Sequence, residues 1–367
     1  MGFVRSIIAG ERGGTLAAAI AWLMLATAGA VLWMTVLRDV WPVLDIAAPL
    51  ALHALAATLV AAATLLLRTG RLMFLASALG LVAIAPSLTT LDARERPGEE
   101  FLPWHRTVAS RAEPRVLRLV AINAWHDNAR PEALMLYLAR ADADIVLLSE
   151  FGPDKAALLE RVKRKYPHQV SCAEAWPCSQ VLLARERFER SGTRMPTLSN
   201  PPMVWAEFRS GDVRGSRVTV IGTHIYRPSK RHDWHEAQLA GLAKHVRGIE
   251  GEVIVAGDFN MTRLSASYDA FASASGLSAP ERVLASWPAW PAPMPLPQVQ
   301  IDHAFVSSGL TVVDQRIGRP VGSDHLPLWS AIRLPEKATL MAGEQNAPDT
   351  ASPAAKVGGE HVSGKRL

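Results

Sequence analysis

Cysteine is nearly absent from this sequence. There are two in 367 residues, Cys172 and Cys178, in the stretch Ser-Cys-Ala-Glu-Ala-Trp-Pro-Cys. With no Cys-x-x-Cys pattern and no adjacent histidine pair, a structural zinc site lacks its ligands. The two thiols are either a local disulfide, which implies an oxidising compartment, or an unrelated pair. Basic runs are also scarce. The net charge is +5, but the arginines are scattered, and the cluster Lys163-Arg164-Lys165 reads as a solvated helix face before it reads as a nucleic-acid patch. No internal repeat is visible, which sets aside repeat architectures.

The most informative shortage is of charge. Residues 15 to 89 carry almost none, whereas residues 116 to 335 have the charges, turns and short apolar runs of a water-exposed enzyme. The mean hydropathy of +0.11 averages two unlike parts. Three apolar stretches, Thr15 to Leu37, Trp41 to Leu67 and Leu72 to Leu88, each reach the roughly 17 to 25 residues a bilayer-crossing helix needs. Asp45 and His53 are their polar exceptions. Asp45 lies near a predicted end, within reach of the interface, and His53 is given no function. The first stretch is too long for a usual cleaved signal core, and two further spans follow it, so a retained helix is expected. Arg5 and Arg12 precede the first span, and Arg68 and Arg71 follow the second. The excess of arginine on that side places the N-terminus and the second linker in the cytoplasm, and three spans carry the following domain to the far side of the membrane. The spans are short and carry little internal charge, which argues for an anchor over a transport pathway. The bilayer is the one evident partner besides substrate, and no obligate protein partner is apparent.

Residues 91 to 115 read as a polar linker and residues 336 to 367 as a disordered tail of small and polar residues. Between them, strands are expected at 116–122, 143–148, 181–184, 204–208, 217–223, 253–256, 301–306 and 326–332. Helices are expected at 131–140, 154–165 and 235–247. Apolar strands here repeatedly end in a polar residue: Asn123, Glu150, His224, Asp258. Active sites in layered α/β folds gather at such strand ends. Packing alone does not explain the recurrence.

In chain order the stretches are Leu-Val-Ala-Ile-Asn123, Asp-Ile-Val-Leu-Leu-Ser-Glu150, Gly-Thr-His224, Ala-Gly-Asp258-Phe-Asn260, Ile-Asp302-His-Ala-Phe-Val and Gly-Ser323-Asp324-His325. Together they resemble the endonuclease/exonuclease/phosphatase superfamily of DNase I-like nucleases, phosphatases and sphingomyelinases. The resemblance covers about residues 116 to 335. It implies an α/β four-layer sandwich with two mixed β-sheets flanked by helices, here preceded by three transmembrane helices. It also implies a phosphoesterase dependent on Mg2+ or Mn2+. Its substrate would be a phosphodiester or phosphomonoester, either nucleic acid or a lipid head group. A catalytically inactive binding module on the same fold is the alternative.

Hydrolysis of a phosphate ester needs an activated water and a counter-charge for the phosphoryl oxygens. A hard divalent cation prefers carboxylate and amide oxygens. By resemblance, Glu150 holds the metal, Asn123 stands beside it and Asp324 adds negative charge. Asp258 and Asn260, two apart past a buried strand, share one side of the chain. Asp258 aligns or deprotonates the water, and Asn260 orients the nucleophile and a phosphate oxygen. The bland reading of that pair is an Asx turn. His325 contacts the scissile phosphate, Asp302 fixes its tautomer, and His224 donates to a non-bridging oxygen. His126, His232, His235 and His303 are given no catalytic role, His303 because it should face away from Asp302 along a regular strand. Arg227 and Lys230 are either anion contacts or solvated loop charges. Trp287 and Trp290, in a Pro-rich loop, either stack on a base, dip into a lipid interface or hold the loop down.

Overall fold

The computed structural model describes residues 11–38, 41–66, 116–209, 217–289 and 298–334. The expected third span at 72–88, the linker at 91–115, the tail at 336–367 and Trp290 lie outside the described residues.

The N-terminal part is a helical hairpin. Helix α1 (Glu11–Leu37) packs along α2 (Ala51–Leu66), with a 3-10 segment, Pro42–Leu50, joining them as an elbow. The 27 residues of α1 reach about 40 Å at 1.5 Å per residue. Two stretches, Ile20–Leu37 and Val43–Thr64, are long and apolar enough to cross a bilayer. The second is not the uniform helix expected over 41–67. Pro49 sits inside the elbow, where it has no N–H to offer an i−4 carbonyl, and the regular helix starts only at Ala51.

The remainder is a sandwich of two mixed sheets. The first holds β1 (Val116–Asn123), β2 (Ile145–Ser149), β3 (His168–Ser171), β4 (Val181–Ala184), β10 (Thr311–Ile317) and β11 (Leu328–Arg333), in the order β10-β11-β1-β2-β4-β3. The second holds β5 (Arg190–Arg194), β6 (Met203–Arg209), β7 (Arg217–His224), β8 (Glu252–Asp258) and β9 (Asp302–Val306), in chain order. One neighbouring pair in each sheet is parallel, β1 with β2 and β7 with β8. Alternate residues along each strand serve different cores. Leu119 and Ala121 face Val220 and Ile254 between the sheets, while Val120 and Ile122 face the first sheet's outer helices.

Helix α3 (Pro131–Arg140) covers that outer face with Leu134, Met135 and Leu138, at the spacing of one helical stripe. The helix expected over 154–165 is instead one α-turn, α4 (Pro153–Ala156), continued by 3-10 turns over Ala157–Val162. Three residues per turn bring Leu159 and Val162 to the same side, and both are buried. Helices α5 (His232–Arg247) and α6 (Ala266–Ser275) cover the second sheet through Leu239, Leu242, Val246 and Phe271. Cys172 and Cys178 form a disulfide across the turn from β3 to β4.

Candidate active site

Register explains why residues far apart in the chain meet. In the parallel pair β7–β8, His224 is level with Asp258, and in the antiparallel pair β8–β9, Asp258 is level with Asp302. Asn123 ends β1 level with Ser149 of β2, so Glu150 follows one step beyond. Strand β1 faces β8 across the sandwich, and the two sheets therefore present their polar ends to one another. Gly257 makes the close approach possible. Its φ is +143°, and a Cβ there would stand 2.0 Å from the Thr223 carbonyl oxygen.

The two carboxylates are joined by one amide. Asn123 donates through Nδ2 to Glu150 Oε1 at 2.9 Å and to Asp258 Oδ2 at 3.0 Å. Its Oδ1 accepts the Trp125 N–H at 2.9 Å, which fixes the orientation of the amide. Asn123 thus holds the two acids together and does not present its oxygen to them. Glu150 sits at φ +52° and Asn260 at +50°. For Glu this left-handed backbone costs roughly 1 kcal/mol, so surrounding contacts must hold it.

His224 Nε2 stands 3.6 Å from Glu150 Oε1 and 3.5 Å from Asp258 Oδ2. The residue is half-buried, but this nitrogen is itself buried and has no hydrogen-bond partner among the described residues. Ligand atoms of Glu150, His224 and Asp258 all lie within 4.8 Å of one another. Two buried carboxylates at this separation repel and are costly without a countercharge. Two carboxylate oxygens, an orphaned imidazole nitrogen and this spacing fit a divalent cation.

His325, buried in the loop before β11, is hydrogen-bonded at one end of its ring and faces a carboxylate at the other. Nδ1 meets Asp302 Oδ2 at 2.8 Å, and Nε2 stands 3.7 Å from Asp258 Oδ2. Ser323 sets the backbone, donating from Oγ to the Asn123 carbonyl at 2.6 Å and accepting the His325 N–H at 3.0 Å. Burial disfavours the charged ring, but Asp302 and Asp258 outweigh it and its pKa is pushed up to about 10. Burial raises Asp258 above the ordinary carboxylate range, against the opposing pull of His325 and His224. Burial also opposes ionisation of Glu150, yet His224, His126 and Asn123 together hold it well below that range. Asp258 Oδ1 accepts the Asn260 N–H at 2.9 Å, and Asn260 Nδ2 donates to the Ile225 carbonyl at 3.0 Å. The pair does form an Asx-type contact, and Asn260 still lines, with His325, Arg227 and Trp287, a cavity that opens beside the site.

Of the eight expected residues, Asn123, Glu150, His224, Asp258, Asp302 and His325 form one contact network, with Asn260 bonded to Asp258. Asp324 is set apart. Its Oδ2 accepts the Trp287 indole N–H at 3.2 Å, and it is not one of the three residues whose ligand atoms converge. His303 lies on the other face of β9, beside the rings of Phe259, Tyr268 and Phe305. Two contacts were not read from the sequence. His126 meets Glu150 Oε2 through Nδ1 at 2.8 Å, and Arg227 Nη2 lies 3.4 Å from Glu150 Oε1. Each stands three residues past a strand-end polar residue, Asn123 and His224, and that shared spacing was the available signal.

The profile of the family described as the Endonuclease/Exonuclease/phosphatase family matches residues 120–325. No relative is found among curated protein sequences. Among solved structures, D. rerio TDP2 complexed with a single-strand DNA product superposes with a TM-score of 0.50 at 16% identity, over 59% of this chain and 99% of that one. Sphingomyelinase C from Streptomyces griseocarneus gives a TM-score of 0.44 at 16% identity, over 59% and 99%. The human Nocturnin catalytic domain with bound sulfate gives 0.47 at 17% identity, over 59% and 94%. At these identities the likeness is one of fold.

Proposed function

The chain belongs to the endonuclease/exonuclease/phosphatase family, and from that premise we propose that it is a metal-dependent phosphoesterase anchored in a bacterial inner membrane, with its catalytic domain on the outer side. Hydrolases of this family act on phosphoester bonds. One observation carries the reading: Glu150, His224, Asp258 and His325, spread over 175 positions of chain, converge where the two sheets meet.

Glu150, Asp258 and His224 would hold Mg2+ or Mn2+. When bound, the ion would polarise a phosphoryl oxygen and offset the charge that grows during displacement. The chain's own groups supply the rest. Asp302 takes the Nδ1 proton of His325 in a hydrogen bond and, with Asp258, favours the charged ring, so Nε2 also carries a proton and can donate to a phosphoryl oxygen. Asp258 is placed to accept a proton from the attacking water, whose oxygen forms the new bond to phosphorus as the ester oxygen leaves. Asn260 orients the phosphate, and Arg227 adds a positive charge beside Glu150. Asp324 acts through Trp287, holding one side of the cavity.

The membrane placement is supported by how the hairpin meets the catalytic domain. Only 11% of Ile20–Leu37 is buried, which is not the pattern of a soluble protein's core helix. The elbow contacts α6. If α1 and α2 both span, α2 returns the chain to the side of the N-terminus, while the catalytic domain sits at the elbow on the other side. Residues 67–115 must then cross once more, and the apolar stretch at 72–88 has the length to do so. The disulfide agrees with an oxidising compartment.

The test is hydrolysis of bis(p-nitrophenyl) phosphate by the purified full chain. Turnover should require Mg2+ or Mn2+, stop with chelator, and fall by about three orders of magnitude in Asp258→Ala and Glu150→Ala. Folded protein that hydrolyses the ester equally well with chelator, or with Asp258 removed, contradicts the proposal.

A further inference from the structure

A cavity of about 450 Å³ lies between the elbow and the catalytic domain, and both parts of the chain line it. His325 and Asn260 stand in its wall with Arg227. Pro49 and Leu50 of the elbow, with Met261 and Ile301, give it an apolar side. The volume falls in the range that holds a small organic ligand and exceeds what a bare phosphate fills.

The elbow is fastened in place by the catalytic domain's own need. Helix α6 begins at Ala266, but its N-cap residue Ser265 makes no side-chain cap bond, because its hydroxyl accepts the Thr262 N–H. The orphaned N–H groups of the first turn are met from 221 positions earlier. Asp45 Oδ1 accepts the Ala266 N–H at 2.9 Å, and Oδ2 accepts the Ser267 N–H at 3.3 Å and the Ser267 hydroxyl at 2.8 Å. Arg38 donates to the Leu264 carbonyl beside it. A carboxylate is favourable at a helix N-terminus and costly in an apolar hairpin, so this contact satisfies both partners.

We propose that the elbow is a wall of the substrate site and that the substrate is an amphiphilic phosphoester drawn from the bilayer face. Its phosphate lies at Asn260 and His325, and its apolar chain runs along Leu50, Met261 and Ile301. This deepens the phosphoesterase reading and rests on it. A sugar phosphate has no apolar part to set against that wall. An oligonucleotide needs a basic track, and Arg227 is the one lysine or arginine in the lining among the described residues. Trp33 and Trp41, both exposed near the elbow, are the residue type that marks a membrane interface, which puts the cavity mouth at lipid head-group level. Asp45 is here a positioning residue.

The test uses the full chain in lipid nanodiscs with ethyl and dodecyl p-nitrophenyl phosphate, comparing kcat/KM for the two. The wild type should favour the dodecyl ester by about tenfold or more. Partition into the disc also favours the long chain, so the decisive reading is the change in that ratio between proteins. Leu50→Trp, which fills the cavity, should lower the ratio about tenfold, and the milder Leu50→Ala about threefold. Asp45→Asn should lower it as well, by loosening the elbow. A ratio that is the same in the wild type and both Leu50 variants overturns the inference, as does a single-stranded oligonucleotide hydrolysed faster than either ester. Hydrolysis of both esters without chain-length preference refutes only the inference. Hydrolysis of neither refutes the phosphoesterase reading beneath it.

Discussion

The hairpin and the sandwich sort their residues in opposite ways. The hairpin buries Ala21, Ala28, Ala54 and Ala61 and turns Trp22, Leu23, Trp33 and Val36 outward. The sandwich buries Leu119, Val120 and Ile254, and at one end also Glu150 and Asp258. Small residues let helices approach closely where lipid removes the hydrophobic drive between them, whereas a fold in water gains by burying its large side chains. Each part departs from its own rule. The hairpin does so at Asp45, where it meets α6, and the sandwich at the site where its sheets end and at isolated positions such as Arg118.

The sandwich should therefore respond sharply to interior changes and the hairpin mildly to exterior ones. The largest effect is expected at Gly257→Ala, where the added Cβ meets backbone that cannot move aside. A loss of more than about 4 kcal/mol, read as failure to recover folded protein, is expected. Arg118→Met comes next. Arg118 is buried and grips Asp144 with Nε at 3.1 Å and Nη2 at 2.8 Å, and it also reaches Asp142. Its removal leaves Asp144 without that cation, a loss of roughly 3 kcal/mol by chemical denaturation.

His303 gives a comparable effect through pH. Burial, against the opposing bond to the Met261 carbonyl, lowers its pKa from 6.5 to about 4. Above pH 6.5 the ring is neutral in both folded and unfolded chains and costs nothing. As pH falls below 6.5 the unfolded chain takes up a proton that the folded one refuses, so stability declines until about pH 4. The full difference is roughly 3 kcal/mol, and His303→Gln should flatten that part of the pH–stability curve. The smallest effect is expected at Trp22→Ser, which should change denaturation of the sandwich by less than about 0.5 kcal/mol while weakening retention in membranes. A large loss of sandwich stability there would erase the contrast between the two regions.

The same contrast decides what could be read in advance. Strands β1, β2, β7, β8, β9 and β11 are almost wholly buried, and their apolar runs with polar ends announce both the strand and the site residue that follows. Strands β3, β5 and β10 were missed, and all three are sheet edges. An edge strand is half-solvated, and sequences such as Arg-Ser-Gly-Thr-Arg in β5 carry no apolar signal. Helix α6 was missed because its small residues, Ala-Ser-Tyr-Asp-Ala-Phe-Ala-Ser-Ala-Ser, leave only a weak stripe. Asp45 was expected at an interface. Its hydrogen-bond partners Ala266 and Ser267 lie more than two hundred positions downstream, and no local pattern points to them. His126 and Arg227 reach Glu150 from loops, where tertiary placement and not periodicity sets position.

The most direct test is anomalous diffraction at the manganese edge from crystals of the full chain grown with Mn2+. The account predicts an anomalous peak bounded by Glu150, Asp258 and His224, which disappears in Asp258→Ala crystals of unchanged fold. Well-ordered side chains at those three positions with no peak between them, or a peak at another cluster, would contradict it.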